Sequence, residues 1–278
     1  MKAEKGRKIA IIAGVAVVAI AAILAWGSWR EIRAWYLLST RFERLAVNEQ
    51  GYQEYRHTRT GIVFVRLPGR TFWMGSPVTE KGRFQFESLP HEVALSPFLI
   101  AKCEVTEKQW TAVLGSPPTD RASLQGSDFP VHGLSWDDAE WFCETVGLLL
   151  PSGAQWEYAC RAGNRGRFSG TGRLVDMAWY KENSGGEPHE VGRKEPNAFG
   201  LHDMHGNVHE WCGDFFDPDF DATPRAQLID PVFTTGTQRL LRGGGCDSEP
   251  RYCRSAYILG EGTGRYTYVG FRPGFNLY

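Results

Sequence analysis

The 278-residue sequence lacks several short motifs that would identify its chemistry directly. It has no Walker or dinucleotide-binding glycine motif and no G-x-S-x-G sequence, so these nucleotide-binding folds and α/β-hydrolase catalysis have no support. Its six cysteines include no C-x-x-C pair, and they are too few for a disulfide-stabilised miniprotein. The 31 basic and 32 acidic residues give a net charge of −1, which offers no general attraction to nucleic acid, and we expect no nucleic-acid partner.

The composition is that of a folded chain with many glycines and tryptophans. Hydrophobic residues make up 42% and charged residues 23% of the sequence, a balance that excludes wholesale disorder. The 32 glycines and 10 tryptophans favour a loop-rich fold in which large rings fill the core between short regular elements.

An apolar run near the N-terminus predicts a membrane anchor. Residues 9–26 (IAIIAGVAVVAIAAILAW) are uncharged over about the minimum length of a helix that crosses a bilayer. Basic residues precede the run, and neither a lipobox cysteine nor a small-x-small cleavage site follows it. We therefore predict a basic cytoplasmic tail at residues 1–8, a transmembrane helix at 9–26, and a domain on the extracytoplasmic side, in the periplasm or at the cell surface.

Residues 27–60 differ in character from both neighbouring segments. Apolar side chains recur near helical spacing among arginines and glutamates, which predicts an amphipathic stalk or linker. Such a helix would lie on the membrane surface or pack on the domain, and a plain spacer is an equally good interpretation. The globular domain is expected from residue 61 to residue 278.

Three helices are predicted by capping boxes, in which the N-cap oxygen and a side chain three residues later satisfy free backbone N–H groups. The paired positions are Thr106 with Gln109, Ser135 with Asp138, and Ser152 with Gln155. The glycines expected to end these helices are Gly115, Gly147 and Gly163. After Gly163 the periodicity disappears, which predicts long loops that need internal anchoring.

Motifs in residues 61–275 occur in an order that resembles a known family. They include Trp73-Met74-Gly75-Ser76, Ser135-Trp136-Asp137-Asp138-Ala139, Asn197-Ala198-Phe199-Gly200-Leu201, Gly206-Asn207-Val208-His209-Glu210-Trp211, Arg242-Gly243-Gly244 and Gly270-Phe271-Arg272. Together they resemble the sulfatase-modifying-factor family, whose best-known member is the formylglycine-generating enzyme. The resemblance implies an α+β, C-type-lectin-like domain with limited regular secondary structure, in addition to the N-terminal transmembrane helix.

The resemblance also indicates which residues an enzymatic activity would need. Family oxidases bind copper(I) through two cysteines that follow the Arg-Gly-Gly motif, and soft thiolates suit that ion. Alignment on this motif places the second cysteine on Cys253 but the first on Ser248, whose hydroxyl is a poor copper(I) ligand. Cys246 would replace the missing ligand only if the loop were re-routed. Otherwise Cys253 is a buried structural thiol or half of a disulfide.

Another branch of the family comprises the variable proteins of diversity-generating retroelements, which display a ligand-binding C-terminal surface. The segment from Arg242 to Arg272 resembles that display region. The candidate ligand-binding residues are Asp247, Ser248, Glu249, Tyr252, Tyr257, Ile258, Leu259, Tyr266 and Tyr268, with Cys246 and Thr263 as further candidate exposed positions. A third branch, which joins sulfur to histidine betaines, needs a helical domain that residues 1–60 are too short to supply.

Residues 202–210 allow two different interpretations as a metal site. His202, His205 and His209 would share a zinc-binding helix face, but Gly206 and Asn207 argue against a continuous helix. The family resemblance instead implies calcium. Its ligands would be Asp203, Gly206, Val208 and Glu210, through carboxylates and backbone carbonyls.

Two functions therefore remain open from the sequence. The first is a membrane-anchored protein that binds a protein, peptide or glycan ligand through its C-terminal loop surface. The second is an oxidase that generates formylglycine in a client sulfatase with copper and oxygen, using Cys253 and Cys246. The hydroxyl at Ser248 favours the first.

Overall fold

The computed structural model describes residues 29–116, 128–216 and 228–278. The predicted cytoplasmic tail and the predicted transmembrane helix at residues 9–26 lie outside the described residues. Within the three described ranges, no helix is both long enough and apolar enough to cross a bilayer. These ranges form a mixed α/β fold with sheets, few helices and long loops.

The helices and strands are short. Helix α1 is helical over residues 29–41, and it is followed along the chain by α2 (Glu107–Leu114), α3 (Trp136–Val146), α4 (Gly153–Arg161) and α5 (Leu174–Met177). The strands are β1 (Phe42–Val47), β2 (Gln53–His57), β3 (Val63–Leu67), β4 (Thr71–Met74), β5 (His91–Ala94), β6 (Phe98–Ala101), β7 (His209–Phe215), β8 (Leu228–Ile229), β9 (Arg239–Arg242), β10 (Leu259–Glu261), β11 (Val269–Gly270) and β12 (Gly274–Asn276).

These strands form three sheets. The largest has the order β1-β2-β3-β6-β12 and is antiparallel, so the last strand of the chain pairs with β6. The second has the order β10-β9-β7-β11, in which β11 runs parallel to β7. The third has the order β4-β5-β8. The second sheet carries the C-terminal motifs and therefore positions the candidate site.

The three capping boxes are confirmed. In each helix the N-cap hydroxyl accepts from the backbone N–H three residues later, and the side chain of that residue accepts from the N-cap N–H. Gly115 and Gly147 end α2 and α3 in the left-handed conformation, as predicted. The predicted stop at Gly163 is wrong by one position, because Ala162 itself adopts the left-handed conformation at φ 46°.

The domain begins before residue 61. Strands β1 and β2 pair with each other and with β3, so the segment predicted as a linker supplies two strands of the main sheet. The ring of Phe42 is buried, and its centroid lies 5.1 Å from those of His57 and Phe275. The prediction of a linker is therefore wrong for β1 and β2. The apolar side chains of this segment occur near helical spacing, but the same spacing is compatible with a short helix followed by two strands.

Side-chain hydrogen bonds anchor the long loops after α4, as the sequence predicted. Asn197 Nδ2 donates to the Ala159 carbonyl at 2.7 Å, while its Oδ1 accepts from the N–H groups of Phe199 and Leu201. One buried amide thus ties a turn to the end of α4, which compensates for the lack of regular hydrogen bonding there.

Replacing Phe42 by alanine is expected to lower the free energy of unfolding by about 3–5 kcal/mol, because it removes a buried ring from the core. Val47→Ala on the same strand is the matched control: Val47 is 55% exposed, so its truncation should cost less than about 0.5 kcal/mol. Urea unfolding measures both values. An equally small effect of the two substitutions would contradict the placement of β1 in the core sheet.

Candidate functional site

Two buried arginines hold the ends of the C-terminal loop region. Arg242 Nη1 lies 3.1 Å from Glu157 Oε2, and both side chains are about 1% exposed. Arg272 forms a two-point ion pair with Glu210, in which Nη2 contacts Oε1 and Nε contacts Oε2, each at 2.7 Å. Although burial raises the pKa of Glu157, Arg161 and Arg242 together hold it below its usual value. Arg242 and Arg272 therefore support the loop region from inside.

The two thiols of the candidate copper pair are buried and free. Neither Cys246 nor Cys253 forms a disulfide, and Cys253 Sγ lies 3.9 Å from the Glu249 carbonyl oxygen. Burial, reinforced by the charge of Asp247, raises the pKa of each thiol to about 12. Both groups are therefore protonated at neutral pH, whereas copper(I) binds the thiolate.

Ser248 occupies the position at which the first copper ligand was expected, and its hydroxyl is engaged by the protein. Its Oγ accepts from the Gly245 N–H at 2.9 Å and lies 3.3 Å from His209 Nε2. Burial lowers the pKa of His209 to about 4, so the imidazole is neutral and its Nε2 can accept a hydrogen bond from the serine hydroxyl. This arrangement offers an oxygen, with no sulfur, at the expected ligand position.

The candidate ligand-binding residues divide into an accessible set and a buried set. The accessible or half-buried side chains are Asp247, Glu249, Tyr252, Leu259, Thr263, Tyr266 and Tyr268. The buried side chains are Cys246, Ser248, Tyr257 and Ile258. The prediction that Cys246, Ser248 and Ile258 are exposed is wrong, and Tyr257, which was predicted only to bind ligand, is also buried. Ser248 turns back towards the Gly245 N–H, and Ile258 packs in the apolar core.

A stack of rings beside Tyr252 was not predicted from the sequence. The Phe84 ring stacks on Phe86 and on Tyr252, with centroids 5.2 and 5.7 Å apart. The Arg251 guanidinium lies 5.1 Å from the Phe84 centroid and 4.7 Å from that of Tyr252. Phe84 and Phe86 come from the loop between β4 and β5, beyond the motif that ends at Ser76, so only folding brings them to this surface.

A buried ion pair fixes this loop to the C-terminal region. Arg254 Nη1 donates to Glu80 Oε1 and to Glu87 Oε2, each at 2.8 Å, and Glu87 also accepts from the Ser76 hydroxyl. Because burial prevents water from replacing these contacts, the aromatic stack rests on a rigid support.

Three buried carboxylates lie around the predicted calcium residues. Glu210 is neutralised by Arg272. In contrast, Asp203 Oδ1 and Glu104 Oε2 are buried and have no hydrogen-bond partner among the described residues. Burial, together with the negative charges of Asp203 and Glu210, raises the pKa of Glu104 well above its usual value. With one arginine for three carboxylates, this cluster needs a proton or a further cation.

The donor set fits a hard cation. Within the described ranges, no group of three or more His, Cys, Asp or Glu side chains is arranged to hold a metal ion. A site here must therefore add backbone carbonyls, and the prediction included those of Gly206 and Val208. Gly206 has φ 76°, and a Cβ there would lie 2.1 Å from the Trp179 carbonyl oxygen, so this turn requires glycine. Carboxylate and backbone carbonyl oxygens are the donors that calcium prefers.

The three histidines considered for zinc point to different partners. His202 Nδ1 lies 2.8 Å from the Lys194 carbonyl, His205 Nδ1 lies 2.7 Å from the Cys253 carbonyl, and His209 Nε2 lies 3.3 Å from Ser248 Oγ. Strand β7 begins at His209, so the three residues do not share a helix face. This arrangement agrees with the argument from Gly206 and Asn207 against zinc.

A cavity of about 480 Å³ lies away from these residues. Its aromatic walls include Phe72, Trp73 and Tyr158, and it contains none of the predicted site residues. The candidate surface of the C-terminal loops is therefore separate from this cavity.

The chain is similar to several known proteins. A formylglycine-generating enzyme from Streptomyces coelicolor is 30% identical over 253 residues, covering 68% of this chain and 80% of the enzyme. Chaperone protein LppX from Paenibacillus barcinonensis is 28% identical over 224 residues, covering 59% of this chain and 75% of LppX. Treponema denticola variable protein 1 has the same fold, with a TM-score of 0.69 and 24% identity over 84% of this chain and 98% of that protein.

The family comparison covers most of the chain. The model described as a sulfatase-modifying factor enzyme 1-like domain matches residues 50–273, a range that includes β2 and so agrees with a domain that begins before residue 61. The chain belongs to the sulfatase-modifying factor family.

Proposed function

We propose that this chain is a membrane-anchored, extracytoplasmic binding protein that recognises a protein, peptide or glycan through the C-terminal surface of residues 246–268. The main support is the chemistry at Ser248. Its hydroxyl stands in place of a thiolate and is held by Gly245 and His209. The scaffold is thus suited to recognition without copper chemistry.

The accessible part of the surface has the features of a binding site. Tyrosine and arginine contribute strongly at protein interfaces, and Tyr252 and Arg251 lie together on the Phe84 ring. Asp247 and Glu249 add exposed negative charge beside them. Because Arg254 fixes the supporting loops, little conformational entropy would be lost on binding.

The alternative is the copper- and oxygen-dependent formylglycine-generating oxidase. It is favoured by the similarity to formylglycine-generating enzymes. It is also favoured by the proximity of the two thiols. They are near enough for the charge of an ionised Cys246 to raise the pKa of Cys253. In this alternative Cys246 would take the role of the ligand missing at Ser248.

Anaerobic titration with copper(I), against a competing chelator, separates the two functions. We expect the wild-type chain to bind copper(I) weakly, because the hydroxyl of Ser248 stands at one of the two family ligand positions and is a poor ligand for this soft ion. Ser248→Cys should create tight one-to-one binding by restoring the first cysteine of the family pair beside Cys253. Ser248→Ala is the matched control and should bind as weakly as the wild type.

A different result would favour the oxidase. If the wild type binds one copper(I) tightly, if Cys253→Ser abolishes this binding, and if the wild type converts a sulfatase peptide cysteine with oxygen, then the binding function is wrong.

We also propose that a structural calcium ion is held at Asp203, with Gly206, Val208 and Glu210 as the remaining predicted ligands. Glu104 adds negative charge beside them. When bound, the ion would supply the positive charge that the buried carboxylates lack. It would also order the turn that leads into β7.

Removal of calcium by a chelator is therefore expected to lower the melting temperature, and added calcium should restore it. A ligand at about a hundredfold excess over its Kd stabilises by roughly 2.7 kcal/mol, which corresponds to a shift of about 5–10 °C in a domain of this size. Asp203→Asn should abolish the response, while Asp176→Asn, outside the cluster, should retain it. No shift in the wild type would show that a proton neutralises the cluster.

A further inference from the structure

Helix α1 has two apolar faces on opposite sides. Three side chains of one face, Ala34, Leu37 and Leu38, pack against the core of the domain. The other face carries large side chains that are mostly exposed: Trp29 at 70%, Ile32 at 58%, Trp35 at 68% and Tyr36 at 59%. At about 100° per residue, the centres of the two faces lie roughly 180° apart. The core therefore accounts for only one of the two faces.

The helix is fixed to the domain through its inner side. The Arg30 guanidinium lies 4.6 Å from the centroid of the Tyr278 ring. At the other end of the helix, Arg41 Nη1 donates to the Gly147 carbonyl at 3.1 Å. The outer face therefore has a defined orientation relative to the domain and is not part of a flexible tether.

Four large apolar side chains exposed together on one helix face are unusual on a water-facing protein surface, and such a patch marks an interaction site. Its position in the chain indicates the partner. The uncharged run of residues 9–26 is separated from Trp29 by two residues. Tryptophan and tyrosine prefer the boundary between lipid headgroups and acyl chains.

The polarity along α1 supports the same partner. At the end of the helix farther from the apolar run, the outer side carries Ser39 and Thr40, which are exposed and polar. The apolar outer face is thus confined to the turns closest to the predicted anchor. Arg33 is exposed at its border, where a lysine or arginine can reach lipid headgroups.

We propose that the outer face of α1, formed by Trp29, Ile32, Trp35 and Tyr36, inserts into the headgroup boundary of the bilayer. The domain then lies directly against the membrane in one orientation and does not stand away from it on a stalk. This inference rests on the proposed membrane anchor, because the anchor places α1 at the bilayer. Contact through α1 is nevertheless separable from anchoring by residues 9–26.

The experiment uses the full chain with a specific protease site inserted between Gly27 and Ser28, reconstituted in phosphatidylcholine vesicles. These lipids carry no net charge, so attraction to arginine does not contribute. After cleavage, vesicle flotation measures how much of the domain stays bound. We expect the wild-type domain to remain bound through α1.

The outer-face variant carries Trp29→Gln, Ile32→Gln, Trp35→Gln and Tyr36→Gln. Its ratio of bound to free domain should fall by on the order of tenfold or more, because four apolar contacts are lost. The matched control carries Val78→Gln, Trp141→Gln, Ile229→Gln and Val232→Gln, which replace equally exposed apolar side chains elsewhere. It should remain bound like the wild type. Circular dichroism checks that both variants are folded.

Each other outcome overturns a specific part of the proposal. Release of the wild-type domain after cleavage would overturn the contact through α1 while leaving the anchor intact. Release as a dimer, measured by light scattering, would assign the outer face to a second copy of the chain. Retention of the outer-face variant would show that another surface holds the domain. Failure of the uncleaved chain to float would overturn the anchor itself, and the α1 contact with it.

Discussion

The ion pair between Arg272 and Glu210 is the interaction on which the rest of the domain depends. Arg272 follows β11 and Glu210 lies on β7, so the pair joins the end of the chain to the centre of the second sheet. The same guanidinium donates to the carbonyls of Ala101 and His202, which places a strand end and a loop around one charge. A guanidinium has five N–H donors, and in a fold with little regular structure it satisfies carbonyls that a helix or sheet would otherwise pair. Breaking one side of such a buried pair leaves an uncompensated charge, which is why these contacts define the loop arrangement.

This charged frame decides what the C-terminal surface can do. Arg242 and Arg254 extend the same principle, each bonded to buried glutamate, and the loops between them become supports for exposed side chains. The thiols of Cys246 and Cys253 lie inside this frame, where burial keeps them protonated. The accessible groups are aromatic, acidic and basic side chains, which suit recognition. Asp203 and Glu104 are buried carboxyl groups, each with an oxygen that has no hydrogen-bond partner among the described residues, and these oxygens are the physical basis for the proposed cation site.

Helix α1 links this frame to the membrane proposal. A helix that packs one apolar face on the domain and exposes another differs from the plain spacer that was the alternative interpretation of this segment. If its outer face lies in the bilayer, the orientation of the C-terminal surface relative to the membrane is set by rigid packing. The position of any ligand that the surface can reach is then limited by the same contacts.

Local chemistry determined what the sequence alone could predict. The capping boxes at Thr106, Ser135 and Ser152 involve residues three positions apart, so their helices were predictable without tertiary information. The ordered motifs identified the family, and alignment on Arg242 located the hydroxyl at Ser248. The tertiary structure alone decided features that join distant segments: the strands formed by residues 42–57, the stack of Phe84 on Tyr252, and the burial of Tyr257 and Ile258. These features depend on which surfaces meet after folding. The spacing of hydrophobic residues within one segment does not specify the distant segment against which it packs.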